Sequence, residues 1–193
     1  MKLATLILLL FISAVSFSQH HKLALVYGYA NNDVYRVNEL DGAAGYHGKS
    51  SYLIGLNYQK ALVSSLWFET GLEYSRNKIE ITPAPNPEID LTARQTTAEL
   101  LTIPAYGNLS FLKYFFVNGG LLLDFDIKLP EQSIDSQTGI GFGFGIGGEI
   151  NIKQLHFFAN AFLKNHAVIA FDKERNQQHL VEDGLKFGIG YSF

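Results

Sequence analysis

Gly139 to Lys153 reads GIGFGFGIGGEINIK. Every second residue is apolar: Ile140, Phe142, Phe144, Ile146, Ile150 and Ile152. Between them stand Gly139, Gly141, Gly143, Gly145 and Gly147, then Glu149, Asn151 and Lys153. A period of two assigns the two sets to opposite faces of a β-strand. In a water-soluble sheet the apolar face would turn inward and bare glycine would meet water, at an entropic cost with no packing in return. The inverse arrangement is physically sound. Large residues then face lipid, and glycines line a narrow barrel interior where other strands need room for bulky polar side chains.

Outward from this stretch the chain repeats the theme. Leu23, Leu25, Tyr27 and Tyr29 alternate with Lys22, Ala24, Val26 and Gly28. Over Ser51–Lys60, Tyr52, Ile54, Leu56 and Tyr58 oppose Ser51, Gly55, Asn57 and Gln59. Leu66, Phe68, Leu72 and Tyr74 oppose Trp67, Glu69, Gly71, Glu73 and Ser75. Gln95–Asn108 fits worst, since Leu100-Leu101 blurs the period and Pro104 cannot donate to a ladder; a bulge is expected nearby. Over Tyr114–Ile127, Phe115, Val117, Leu121, Leu123, Phe125 and Ile127 oppose Asn118, Gly120, Asp124 and Asp126, with Phe116 and Leu122 as exceptions. Leu155–Ala167 sets Leu155, Phe157, Ala159, Ala161 and Leu163 against His156, Asn160, Lys164 and His166. The last strand sets Leu185, Phe187, Ile189, Tyr191 and Phe193 against Lys186, Gly188, Gly190 and Ser192.

These are about eight strands of the length a tilted membrane crossing needs. The polar connections Asn31–Ser50, Asn77–Arg94, Lys128–Thr138 and Asp172–Glu182 are long, and those between them are short. Pro83, Pro85 and Pro87 exclude regular pairing at the tip of the second long loop, while its flanks Lys78–Ile81 and Ile89–Thr92 can continue the hairpin beyond the membrane. Outer-membrane barrels have short periplasmic turns, long external loops and both termini in the periplasm. The reading is therefore an all-β, eight-stranded antiparallel up-and-down transmembrane β-barrel in the outer membrane of a Gram-negative bacterium. The N-terminus supplies the route: Lys2, an apolar Leu3–Val15 and the small-x-small Ser16-Phe17-Ser18 read as a secretory signal over 1–18, leaving 19–193 as the barrel domain.

Composition narrows the function classes. The chain has 193 residues, a net charge of −3 and no cysteine. It thus lacks the basic footprint of a nucleic-acid binder, any disulfide framework and any thiolate metal site or nucleophile. No later segment is an apolar run of helix-spanning length. Within the strands, charge falls on the inward face: Lys22, Glu69, Glu73, Asp124, Asp126, Glu149, Lys164 and Lys186. An eight-stranded barrel is only wide enough for its side chains to fill, so these groups must pair in a plugged lumen. Acids outnumber bases, and Arg76 or Arg94 near the mouth, or water, is expected to help neutralise them. Tyr27, Tyr29, Tyr52, Tyr58, Tyr74, Tyr114 and Tyr191 suit aromatic girdles.

The terminal Gly188-Ile189-Gly190-Tyr191-Ser192-Phe193 is similar to the C-terminal signal that barrel-insertion machinery reads, with Tyr191 and Phe193 as its aromatic positions. Together with the signal ending SFSQ, Leu101-Thr102-Ile103-Pro104 and Phe116-Val117-Asn118-Gly119-Gly120, it gives the chain a resemblance to the small Bacteroidetes outer-membrane barrels often labelled PorT-like. The resemblance covers essentially the whole mature chain. It implies the barrel and no activity; PorT is associated with type IX secretion, but none of these motifs is diagnostic of that role.

No nucleophile elbow or HExxH spacing is present, so no catalytic, cofactor or metal residues are assigned. Two weaker constellations exist. His166, with Asp172 and Glu174 within local reach and Ser75 or Ser133 at the same rim, would be the core of an enzyme acting on lipid A or peptides. His20-His21 would be a metal pair in a flexible terminus. The expected role is structural, in surface interaction or in envelope assembly, with a narrow channel or ligand-passage barrel as the alternative. The expected partners are outer-membrane lipid and lipopolysaccharide, the barrel-assembly machinery and a candidate envelope or secretion protein.

Overall fold

The computed structural model describes residues 21–36, 44–84, 92–128, 134–172 and 176–193. The signal segment, His20, Pro85, Pro87, Ser133 and Glu174 lie outside these. Eight strands follow in chain order: β1 (His21–Arg36), β2 (Gly45–Val63), β3 (Leu66–Thr82), β4 (Arg94–Phe111), β5 (Phe115–Lys128), β6 (Gly139–Ile152), β7 (Leu155–Ala170) and β8 (Gln178–Ser192). Each pairs antiparallel with its chain neighbour, and β8 closes on β1 from Lys22↔Ser192 to Arg36↔Gln178. His21 and Phe193 exchange backbone hydrogen bonds of 3.0 and 2.8 Å at the seam. The barrel reading of the sequence holds in architecture, strand number and topology.

The orientation of the faces follows the opening stretch. On β6, Phe142, Phe144, Ile146 and Ile150 point outward and are about half exposed, as are Leu25, Tyr27, Ile54, Leu121, Phe187 and Ile189 around the wall. So extensive an exposed apolar band belongs against lipid, not water. The β6 glycines face inward and give their space to the opposite wall. A Cβ on Gly143 would overlap the Tyr106 hydroxyl, one on Gly145 the Asn160 amide, and one on Gly147 the Phe116 ring. Of the residues that need this thinned wall, the sequence reading puts Phe116 and Asp124 on the inward face, beside Gly147 and Gly141. It does not identify Tyr106, and Trp67 sits elsewhere, against Lys22 near the periplasmic end.

Strand length departs from expectation. Asn31–Arg36, Gly45–Ser50 and Gln178–Glu182 are strand, not loop, while Lys78–Ile81 continues β3 as expected of a hairpin flank. The cause is an inversion of polarity. On β3, Arg76, Lys78 and Glu80 turn outward, while Ile79 and Ile81 are buried inside. On β1, Asp33 points out and Val34 points in. Beyond the lipid the same ladder continues as a water-exposed barrel, with polar residues outside and apolar ones within.

Register irregularities on β2 fall at Gly48/Ser50 and Ala61/Val63, and others lie on β4 and β7. Pro104 pairs with Leu122 on the β5 side, but the β3–β4 ladder is interrupted between Thr70↔Ala105 and Glu73↔Thr102, where Pro104 has no N–H to give. The expected bulge lies close by, between Glu99 and Leu100 in the β4–β5 register. A larger irregularity occurs on β7, where Ile140↔Ile169 is followed by Phe142↔Asn165. There Ala167 adopts a φ of 47°, a left-handed conformation that L-residues rarely occupy.

Candidate functional site: the filled lumen

The inward face of the strands carries one connected set of ionised groups. Glu69 on β3 accepts hydrogen bonds from Asn57 Nδ2 (2.9 Å), Asn108 Nδ2 (2.7 Å) and Asn118 Nδ2 (3.1 Å), and lies 3.8 Å from Lys186 Nζ. Lys186 donates to Glu73 Oε1 at 3.0 Å, and Lys164 to Glu73 Oε2 at 2.5 Å. Lys164 Nζ also lies 3.9 Å from Glu182 Oε2. His166 then sits between Glu182 (Nε2···Oε2, 3.5 Å) and Asp124 (Nδ1···Oδ1, 3.0 Å). Acid and base alternate along the whole chain, from Glu69 through Lys186, Glu73, Lys164, Glu182 and His166 to Asp124. Each of these residues is 1 % exposed or less.

Such a chain is a consistent solution to a buried-charge problem. A lone ion in a low-dielectric interior costs several kcal/mol, on the order of what breaking a whole pair costs, so every carboxylate must meet a cation or several N–H donors. Glu69 meets the amides. Glu182 accepts from Asn77 Nδ2 at 2.7 Å, and Asp124 accepts from Thr102 Oγ1 at 2.8 Å. The β7 irregularity has a role here. It turns both His166 and Ala167 inward, and the Ala167 N–H reaches Asp124 Oδ2 at 3.4 Å.

The sequence-predicted polar residues fall into three groups. Glu69, Glu73, Asp124, Lys164 and Lys186 belong to the central chain. Glu149 pairs with Lys22 at 2.8 Å near the inner mouth. Asp126 instead caps the β5–β6 connection, accepting from Gln137 N (2.6 Å) and Ser136 Oγ (2.9 Å). Two expectations are corrected. Arg76 does not neutralise lumen acids: it faces outward beside Glu99 at 3.6 Å, and Arg94 is exposed at the start of β4. His166 is not a rim residue with Asp172, which is exposed; it lies inside between Asp124 and Glu182, and Ser75 is buried beside Asn77. His21 bonds the Tyr58 hydroxyl at 2.7 Å, and among the described residues no cluster of three metal-ligating side chains exists. Glu182 is missed by the periodicity because it lies beyond the polarity inversion.

Apolar side chains complete the filling. Val26, Leu53, Phe116, Phe158 and Phe162 form one lumenal cluster, with Phe116 and Phe158 edge to face at 6.3 Å. Val34, Ile79, Leu100, Ile134 and Leu180 form another across the outer end, with Tyr46 against it. Gln137, itself buried, fixes the connection that carries Ile134. Its Oε1 accepts from Leu180 N and its Nε2 donates to Gln178 O, both at 2.9 Å. Gln137→Ala should therefore lower stability by roughly 1–3 kcal/mol by leaving the Leu180 N–H unpaired. Gln137→Glu, which keeps that acceptor but sets a buried carboxylate oxygen against the Asp135 and Gln178 carbonyls, should cost at least as much; urea unfolding in micelles reads both.

No protein-family model matches the sequence, and no curated protein matches it. Solved structures do. The outer-membrane protein AlkL, determined by solid-state NMR in lipid bilayers, superposes with a TM-score of 0.58 at 11 % identity, over 93 % of this chain and 92 % of that one. The outer-membrane protein OprG from Pseudomonas aeruginosa superposes with a TM-score of 0.50 at 15 % identity, over 91 % and 97 %. At these identities the likeness is one of fold: this chain has the fold of a small outer-membrane β-barrel.

Proposed function

We propose that the protein is a closed, non-enzymatic barrel of a Gram-negative outer membrane, of the PorT-like small-barrel type. It serves the envelope through its outer surface and loops and not as a conduit. The observation that carries this is the uninterrupted acid–base chain from Glu69 to Asp124, capped outwardly by the Val34–Ile79–Leu100–Ile134–Leu180 cluster. A solute crossing the lumen would have to separate several buried ion pairs and displace the apolar cap. His166 has both ring nitrogens facing carboxylates in a fully buried site, which leaves it no route to a lipid or peptide substrate.

The surface suits the proposed partners. Tyr29, Tyr52 and Tyr74 mark the outer interface, and Arg76 and Lys78 lie outward beyond Tyr74, with Lys49 exposed nearby, at the level of lipopolysaccharide headgroups. Tyr191 on the lipid side and Phe193 at the seam are the residues for insertion machinery to read. Incorporated into a planar bilayer, the protein should give no stable conductance steps. Reproducible steps altered by Glu73→Gln or Asp124→Asn would replace this reading with a narrow channel.

A further inference from the structure

The inner mouth carries a site that a closed lumen does not require. A cavity of about 400 Å³ opens there between the first and second short turns, with Lys22, Trp67, Ser110, Glu149, Asn151 and Ser192 on its walls. The turn serines Ser64 and Ser65 stand at its edge. Lys22 Nζ donates to Glu149 Oε2 at 2.8 Å and lies 4.4 Å from the centre of the Trp67 ring. Glu149 Oε1 faces Ser110 Oγ at 3.4 Å. Ser192 is 5 % exposed, and its Oγ has no hydrogen-bond partner. Behind Glu149, buried His156 uses Nδ1 on Asn151 Oδ1 at 2.9 Å, while its Nε2 has no partner.

Three features define what this vestibule takes. Its buried charges, Lys22 and Glu149, neutralise each other, so an ion reaching them would leave one unpaired, and the remaining cation, Lys113, stands exposed to water at the edge. Its remaining groups are hydroxyls and an amide that both donate and accept, beside an indole, which is the complement of a ring bearing hydroxyl and acetamido groups. Its volume lies within the roughly 300–1,000 Å³ of small-molecule sites. With short turns and termini at this end, it opens toward the periplasm, where the cell-wall glycan lies.

We propose that the vestibule binds a saccharide unit of the N-acetylated amino-sugar type, presented by peptidoglycan. The proposal extends the closed-barrel reading to the periplasmic face, and conductance and saccharide binding are read separately, so either can fail alone. Trp67 is the single tryptophan of the chain, so its emission reports the site directly. In full-length mature protein folded in micelles, the N-acetylglucosamine trimer should produce a saturable change in Trp67 emission, while glutamate and inorganic phosphate should not. The protein should also co-sediment with purified sacculi. Ser192→Ala with Asn151→Ala should weaken both responses about tenfold, the loss of roughly one well-placed hydrogen bond. Lys60→Ala, exposed on β2 and outside the cavity, should leave them intact, and heat-dependent gel mobility should show all variants folded. A trimer response without sedimentation supports the same site, filled by free oligosaccharide. Absence of both responses, or responses unaffected by the double variant, would overturn the proposal.

Discussion

Gly143→Leu together with Gly145→Leu should abolish assembly, leaving no species that resists detergent and keeps a compact, heat-dependent mobility on gels. These positions face the lumen, where a single added Cβ on Gly143 already overlaps the Tyr106 hydroxyl, and one on Gly145 comes within 2.6 Å of Ala161 O and 2.8 Å of Asn118 Oδ1. Overpacking of a filled core costs roughly 1–3 kcal/mol per extra group even where neighbours can shift. Here the neighbours of Gly145 are backbone on one side and, on the other, the amides of Asn118, which donates to Glu69, and Asn160, which donates to Asn118. Tyr106→Phe combined with Gly143→Ala should recover part of the loss of Gly143→Ala alone, since it removes the overlapping hydroxyl. A double-leucine variant that folds normally would show that β6 is not where the wall thins.

Glu73→Ala should be the most damaging single change among the lumen charges, destabilising the barrel by about 3–5 kcal/mol. Among the described residues, Glu73 alone is in direct hydrogen-bond contact with both Lys164 and Lys186, at 2.5 and 3.0 Å. Without it each ammonium retains only a long contact, Lys164 with Glu182 at 3.9 Å and Lys186 with Glu69 at 3.8 Å. Thr102→Ala, which removes one neutral donor to the Asp124 carboxylate, should cost less, about 1.5–3 kcal/mol. Urea unfolding in micelles, followed by Trp67 emission, distinguishes the two. Equal losses would mean that the acid–base chain does not carry the interior.

The membrane-embedded half of this barrel is legible from residue periodicity because lipid imposes one rule: apolar outward, small or polar inward. Ile140 to Ile152, Leu23 to Tyr29 and Leu185 to Tyr191 obey it, and the inward charges Glu69, Glu73, Asp124, Lys164 and Lys186 follow from it. The outer half obeys the opposite rule. Val34, Ile79 and Leu180 are inside and Asp33, Lys78 and Glu80 outside, so a search for outward apolar residues takes the ends of β1 and β8 for loops and reads the β3 end only as a hairpin flank. Glu182 is lost with them. His166 is misplaced for a related reason: the β7 irregularity around Ala167 turns two adjacent residues inward and breaks the count of two. Arg76 is misassigned because position alone puts it near the mouth, whereas its parity on β3 puts it on the outer wall beside Tyr52 and Glu99. The apolar filling by Phe158 and Phe162 departs from the expectation of a polar lumen, because aromatic and charged residues share the inward face of β7.

The orientation of the two faces is tested most directly on β7 by single substitutions at 158–163, in a chain that has no native cysteine to interfere. Spin labels on Ala159→Cys, Ala161→Cys and Leu163→Cys in lipid vesicles should collide freely with dissolved oxygen and little with a water-soluble nickel reagent. Labels at Phe158→Cys, Asn160→Cys and Phe162→Cys should be immobilised and shielded from both. Nickel accessibility at the second set, or loss of the alternation, would contradict a barrel with lipid outside and a sealed, charged interior.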